Sequence, residues 1–288
     1  METAKLYYQL AKPGIVYSNS IATAAGFLLA FAQIRDFKLA AFAGVIVGTM
    51  FVIASACVLN NHIDRGIDTK MARTKKRATV TGKISTRSVL TYAALLGVCG
   101  FGILIVLTNL LTVMLGVLAY ISYIVLYGVT KRTSVHGTLV GAIAGGLPPV
   151  AGYTALTNQF DLAAILLFFV LVAWQMPHFY AIAMRRQTDY ASAGIPVLPV
   201  VKGMYATKIQ IVLYVALFIL VNSLFTVAGY TGYVYLVIMT VAGAVWLFKG
   251  IRGFKVETDE KWALGMFLFS LFILLLLCGM LAVGGLLP

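Results

Sequence analysis

Charge is what this sequence has least of. Only 11% of its 288 residues are charged, against about 25% in a soluble domain. Acid is scarcer than base, with 9 Asp and Glu against 22 Lys and Arg. In the middle of the chain only Asp64, Asp68, Asp161 and Asp189 lie near the ends of apolar segments. Cysteine and histidine number 3 each. Cys57, Cys99 and Cys278 are scattered through apolar segments, which excludes metal-ligand spacing and leaves them as small core residues. No charged soluble domain, low-complexity tract or strong repeat interrupts the chain.

What fills the space is apolar. Hydrophobic residues make up 61% of the chain, in runs close to the roughly 20 residues that cross a ~30 Å hydrocarbon core. The chain therefore reads as an all-α polytopic membrane protein, one transmembrane domain over 1–288. Nine spans are expected near 15–33, 39–60, 89–108, 110–129, 138–156, 161–180, 209–229, 233–249 and 263–286. With these spans, 20 of the 22 basic residues fall on one side and only Arg35 and Lys38 on the other. That asymmetry predicts a cytoplasmic N-terminus and a C-terminus outside. The net charge of +13 is thus read as membrane topology, with the lipid bilayer as partner and no nucleic acid. ATAAG at 22–26 faintly resembles a cleavage site, but the apolar run continues to Phe31, which predicts an uncleaved first helix. The long polar segments 61–88 and 181–208 each follow an even-numbered span, leaving open a weak duplication. Outer loops are minimal, so the chemistry is expected on the cytoplasmic face.

The segment NNHIDRGIDTKMARTKKR at 60–77 carries the main signal. Asn60, Asp64 and Asp68 are spaced by four. On a helix, steps of four turn a side chain by about 40° and rise about 6 Å, so the three share one face over roughly 12 Å. Oxygen ligands in this pattern suit a hard cation, and Mg²⁺ takes one or two carboxylates plus water and substrate phosphate. Lys70, Arg73, Lys75, Lys76 and Arg77 follow as donors for phosphate oxygens. The pairing predicts a Mg²⁺–diphosphate site, because ionisable groups at membrane depth are costly and mark function.

A second polar segment runs from Trp174 to Gly203. His178, Arg185 and Asp189 sit at i, i+7 and i+11, within about 60° on a helix wheel, and are expected to line one wall. Asp189-Tyr190, followed by Gly194, Pro196 and Pro199, reads as a short helix ending in a shaped loop that closes over a cavity.

With these residues in view, the chain resembles the UbiA superfamily of intramembrane prenyltransferases. KPGIVYSN, TSVHGTLVGAIAGGLPPVAGY, WQMPHFYAIAM and DYASAGIPVLPVVKG, joined to the segment at 60–77, are similar to the branch whose acceptor is protoheme IX. The resemblance implies nine helices around a central cavity opening to the cytoplasm, in a bacterial-type inner membrane. It further implies that farnesyl diphosphate and protoheme IX are substrates, that Mg²⁺ is the cofactor, and that a heme vinyl group is farnesylated and hydrated to give heme O. A downstream heme-modifying enzyme or a terminal oxidase assembly is then a partner. Asn60, Asp64, Asp68 and Asp189 are the catalytic candidates, with the first three as metal ligands. Lys70, Arg73, Lys76, Arg77, Arg185 and Lys202 are candidates for the diphosphate. Many superfamily members have a second aspartate ladder after the sixth helix; here Asp189 stands alone, above Arg185 and Ala181. Arg185, with Arg186 or Lys202, is expected to replace the second metal electrostatically.

An allylic cation needs a dry cavity with π-faces, for which Tyr120, Tyr123, Tyr127, Phe179 and Tyr180 are candidates, with Asn19 facing the same cavity. His178 is the preferred heme-side residue, as ligand or propionate partner; His62 faces away from the ladder and His136 lies in the next cytoplasmic loop. Gly141 and Gly145 have small-xxx-small spacing for close helix contact, and Pro148-Pro149 is expected to kink or break the fifth helix. Two alternatives remain: a prenyltransferase with an aromatic or quinone-precursor acceptor, and a cation-coupled transporter, which would place its charges near the bilayer midplane.

Overall fold

A computed structural model describes residues 2–288. A short helix, α1 (Glu2–Leu10), precedes the first long one, α2 (Pro13–Ile34). The second long helix, α3 (Leu39–Ile63), is followed by one turn, α4 (Arg65–Asp68), and an irregular segment leading to α5 (Thr86–Leu107). Helix α6 (Leu110–Ile121) passes through a π-helical stretch at Ser122–Tyr127 into α7 (Gly128–Thr133), forming one continuous span. Then come α8 (Gly137–Thr157), α9 (Leu162–Arg185), the short α10 (Gln187–Ser192) and α11 (Leu198–Val201), and finally α12 (Gly203–Val227), α13 (Tyr233–Arg252) and α14 (Asp259–Gly284). Nine of these helices are long and apolar enough to cross a membrane. Among the described residues there is no strand.

Local chemistry sets several starts. Pro13 opens α2, where its missing N–H costs nothing. Ser85, Asn109 and Asp161 each accept a backbone N–H three residues on, capping α5, α6 and α9. Most ends extend beyond the sequence expectation: α3 runs to Ile63, α9 to Arg185, and α12 begins at Gly203. The polar ends of these helices continue the backbone ladder past the last apolar residue, so the second loop shrinks to 186–202.

Helices α8 and α9 form the centre, each 72% buried over its apolar window, whereas α5 and the α6–α7 span are 22% buried and peripheral. Helix α2 packs on α8, α14 and α3, and α9 packs on α8, α12 and α14. Pro148 and Pro149 do not break α8, which runs uninterrupted through both; neighbouring helices hold a proline-containing membrane helix together. Backbone approaches backbone most closely at glycines of the α2–α8 crossing. A Cβ on Gly26 would lie 1.9 Å from the Pro149 carbonyl oxygen, and one on Gly152 would lie 1.9 Å from that of Thr23. Gly141 and Gly145 instead meet the side chains of Tyr127 and Gln175.

Cross-contacts confirm which loops share a side. Asp64 pairs with Lys131 and Arg132, Asp189 meets Ala72, and Lys208 pairs with Asp259. On the opposite side Asn109 bonds the Thr154 carbonyl, and Gln33 that of Tyr230.

Candidate functional site

The polar ladder sits where α3 gives way to α4. Asp64 caps α3, yet its N–H still bonds the Asn60 carbonyl at 2.9 Å, and the Asp68 N–H bonds the Asp64 carbonyl at 2.9 Å. These two bonds carry helical register across the seam, so Asn60, Asp64 and Asp68 keep the four-residue stagger. Asn60 is 4% exposed and Asp68 1%, while the Asp64 side chain is 14% exposed. Burial that deep requires partners.

Each of the three has a cation. Lys12 Nζ donates to Asn60 Oδ1 at 2.8 Å. Lys131 Nζ lies 2.5 Å from Asp64 Oδ2, and Arg132 Nη2 lies 3.1 Å from Asp64 Oδ1. Arg77 Nη1 lies 2.7 Å from Asp68 Oδ2. Burial pushes the Lys12 ammonium below its ordinary range; Arg77 and Lys131 reinforce that shift and Asp64 opposes it. The three side chains are thus the centre of a compact alternation of charge built from the start of α2, the α3–α4 seam, the segment after α4, and α7.

Two aromatic rings complete this wall. Tyr123 lies in the π-helical stretch, its hydroxyl 3.5 Å from Asn60 Oδ1, and its ring stacks on Tyr127 at 5.5 Å. Lys131 lies 5.0 Å from the centre of the Tyr127 ring. Tyr120 turns to Ser55, at 3.1 Å between hydroxyls. Asn19 is half-buried and donates back to the Ile15 carbonyl. Phe179 does not join these groups: it is 39% exposed on the outer surface of α9. Tyr180 is buried beside Tyr214 of α12.

The second loop closes onto the first. Asp189 Oδ1 accepts the Ala72 N–H at 3.2 Å, and Ser192 Oγ donates to the Lys70 carbonyl at 3.1 Å. Burial pushes the Tyr190 hydroxyl up, with Arg73 opposing. The expectation that His178, Arg185 and Asp189 line one wall holds only for the first two. The chain breaks from helical geometry at Arg186 (φ −118°, ψ 24°), which swings Asp189 away toward Ala72. His178 is buried against α14: its Nδ1 is 2.7 Å from Ser270 Oγ, and its ring stacks on Trp174 at 4.9 Å. His178 and Arg185 both face Phe267, at 5.0 and 5.9 Å, and the Arg185 Nε is buried with no hydrogen-bond partner.

Lys70, Arg73, Lys75 and Lys76 are exposed on the segment that follows α4 and enter no ion pair among the described residues. Lys202 is exposed at the end of α11, with no hydrogen bond to the acids. His62 is half-buried and His136 exposed. In the sequence, Lys12, Lys131 and Arg132 count only toward the one-sided excess of basic residues. The legible signal was position: each basic residue abuts a span end on the same side as the ladder.

Among the described residues, no three His, Cys, Asp or Glu side chains gather as a metal cluster. The donor set is instead two carboxylates and an amide oxygen, which matches what Mg²⁺ takes when water and phosphate fill its other positions.

Comparisons with known proteins bear on the family and the fold. A Protoheme IX farnesyltransferase 2 from Pseudomonas putida (strain W619) is 47% identical over 270 residues, covering 93% of this chain and 91% of the relative. A Protoheme IX farnesyltransferase from Enterobacter sp. (strain 638) is 45% identical over 285 residues, covering 99% and 96%. In fold, the chain superposes on a digeranylgeranylglyceryl phosphate synthase with TM-score 0.79 at 18% identity, over 99% of both chains. It also superposes on a UbiA homolog from Archaeoglobus fulgidus bound to GPP and Mg²⁺, with TM-score 0.69 at 14% identity, over 96% of this chain and 100% of that one. The family model for UbiA prenyltransferases matches residues 19–285, nearly the whole membrane domain and every acid of the ladder, and by that match the chain belongs to the UbiA prenyltransferase family.

Proposed function

We propose that this integral membrane enzyme transfers the farnesyl group of farnesyl diphosphate to a vinyl group of protoheme IX, with hydration, giving heme O. The acceptor reading is supported by the relatives named protoheme IX farnesyltransferase. The observation that carries the chemistry is the ladder of Asn60, Asp64 and Asp68, each already facing a basic partner. By the excess of Lys and Arg, the ladder lies on the cytoplasmic side of an inner membrane, with the N-terminus on that side.

Farnesyl diphosphate is apolar for fifteen carbons and then highly charged. Its tail belongs among the helices and its head at the ladder. Asn60, Asp64 and Asp68 would hold Mg²⁺, which when bound supplies positive charge to the diphosphate oxygens. Lys131, Arg132, Arg77 and Lys12, which balance these oxygens, would also be in reach of the phosphate oxygens of a bound substrate. Arg73, Lys70 and Lys76 close from the exposed side. These donors stabilise pyrophosphate as the allylic C–O bond breaks, an electrostatic effect on developing charge. Tyr123 and Tyr127 present π-faces to the allylic cation. Asp189 ties the two loops together through Ala72 and so excludes water from the reacting carbons.

For the acceptor, the Arg185 guanidinium, with its unpartnered Nε, suits a heme propionate. His178, held by Ser270 and Trp174, supplies an imidazole to the same region.

The test is to give purified protein farnesyl diphosphate, Mg²⁺ and heme and to weigh the product. A heme heavier by one farnesyl group and one hydroxyl group supports the reading. Prenylation of an aromatic acid or quinol precursor instead of heme overturns the acceptor assignment.

A further inference from the structure

A groove lies where α1 leans over the start of α5, and none of its residues belongs to the proposed active site. It is open to the outside, with a volume of about 390 Å³, and is lined by Tyr7, Arg87, Ser88, Thr91, Tyr92 and Leu95. Residues 88, 91, 95 and 98 recur at three- and four-residue steps, so they share one face of α5. The upper end of that face is polar. Arg87 and Thr91 are exposed, and Arg87 enters no ion pair among the described residues. Arg65 adds a second cation at this edge, its Nη1 3.2 Å from Thr86 Oγ1. The lower end is apolar: Leu95 is 60% exposed and Val98 74%, one turn further into the span. Tyr7 and Tyr92 wall the groove, edge to face at 5.1 Å.

We propose that this groove binds an anionic glycerophospholipid, with the phosphate at Arg87, Ser88 and Thr91 and an acyl chain along Leu95 and Val98. The order of groups matches such a lipid: cations and hydroxyls at headgroup depth, then a ring-walled slot, then bare apolar surface. A zwitterionic lipid would bring its own cation to a site that already has two. The bound lipid would also brace the α1 side of the protein. Tyr7 and Tyr92 pack on a satellite core of Leu10, Val58, Ala78, Ile84, Val89 and Ala93, which joins α1 to α3, to α5 and to the segment carrying Arg73 and Arg77. This inference is independent of which acceptor the enzyme uses.

The experiment is native mass spectrometry of the detergent-solubilised full chain, mixed with equal amounts of phosphatidylglycerol and phosphatidylcholine. Wild type should retain phosphatidylglycerol in excess. Arg87→Ala should lower that excess about fivefold, the effect of one basic residue at a membrane surface, while Arg87→Lys keeps most of it. Arg252→Ala, an exposed cation beside Phe248 at the end of α13, should leave it unchanged. Equal retention of the two lipids by wild type would overturn the proposal, as would an unaltered excess in Arg87→Ala. One-for-one displacement of phosphatidylglycerol by added farnesyl diphosphate would also overturn it and make the groove a docking place for that substrate.

Discussion

Arg77 Nη1 lies 2.7 Å from Asp68 Oδ2, so a residue proposed to hold the metal and one proposed to hold the diphosphate neutralise each other. The same holds for Asp64 with Lys131. A ladder of buried acids can wait for a divalent ion only if something balances it meanwhile. Here Arg77 and Lys131 do so, and on the proposed function the binding of metal and substrate together would exchange one set of ion pairs for another.

Asp64→Asn and Asp68→Asn should therefore each lower farnesyl transfer by about 10²–10³, the loss typical for one group stabilising transition-state charge. Both proteins should still insert and remain folded, as judged by monodisperse elution. Chelation of divalent ions should silence wild type without unfolding it. Full activity in either variant would remove the metal-ligand role.

Lys131 and Arg132 should differ in effect. The Lys131 side chain is 9% exposed and that of Arg132 39%, so Lys131→Ala leaves a well-buried carboxylate short of its main partner. Its kcat/KM for farnesyl diphosphate should fall roughly 10²-fold, and that of Arg132→Ala less than about tenfold. Equal kinetics for the two would show that burial does not rank these cations.

For His178 the readout is the heme spectrum. If the imidazole is an axial ligand, His178→Ala shifts the bound-heme absorption, and Ser270→Ala perturbs it less by freeing the ring to turn. An unchanged spectrum in His178→Ala would remove the axial-ligand role.

Glycines at the α2–α8 crossing should tolerate no side chain. Gly152→Ala places a methyl where the Thr23 carbonyl oxygen lies, and backbone cannot move aside as a side-chain tip can. A destabilisation of about 1–3 kcal/mol or more is expected, seen as a lower melting temperature. Gly102→Ala, with open space around it, should melt like wild type.

The loop clasp should weaken at high pH. Burial holds the Tyr190 proton more tightly in the folded chain than in the unfolded one. Its contribution is therefore complete below about pH 10, the value of a free tyrosine, and is lost as pH rises through the folded value. Limited proteolysis of 186–202 should accelerate above that pH in wild type and show a flatter profile in Tyr190→Phe. Identical profiles would place the clasp elsewhere.

The sequence by itself determined the membrane class, the nine helices and the ladder. Each depends on local spacing: about twenty apolar residues make a span, and a four-residue repeat makes a face regardless of what surrounds it. Tertiary structure alone decided the partners. That Lys12 reaches Asn60, that Lys131 and Arg132 reach Asp64, and that Asp189 turns to Ala72 rather than toward His178 depend on how α2, α7 and α10 come to rest against α3 and its loop. Lysines near a span end look alike in sequence, since membrane topology asks for them all. Only packing selects those whose charge is drawn inside, because a buried carboxylate stays charged only where a cation is held against it.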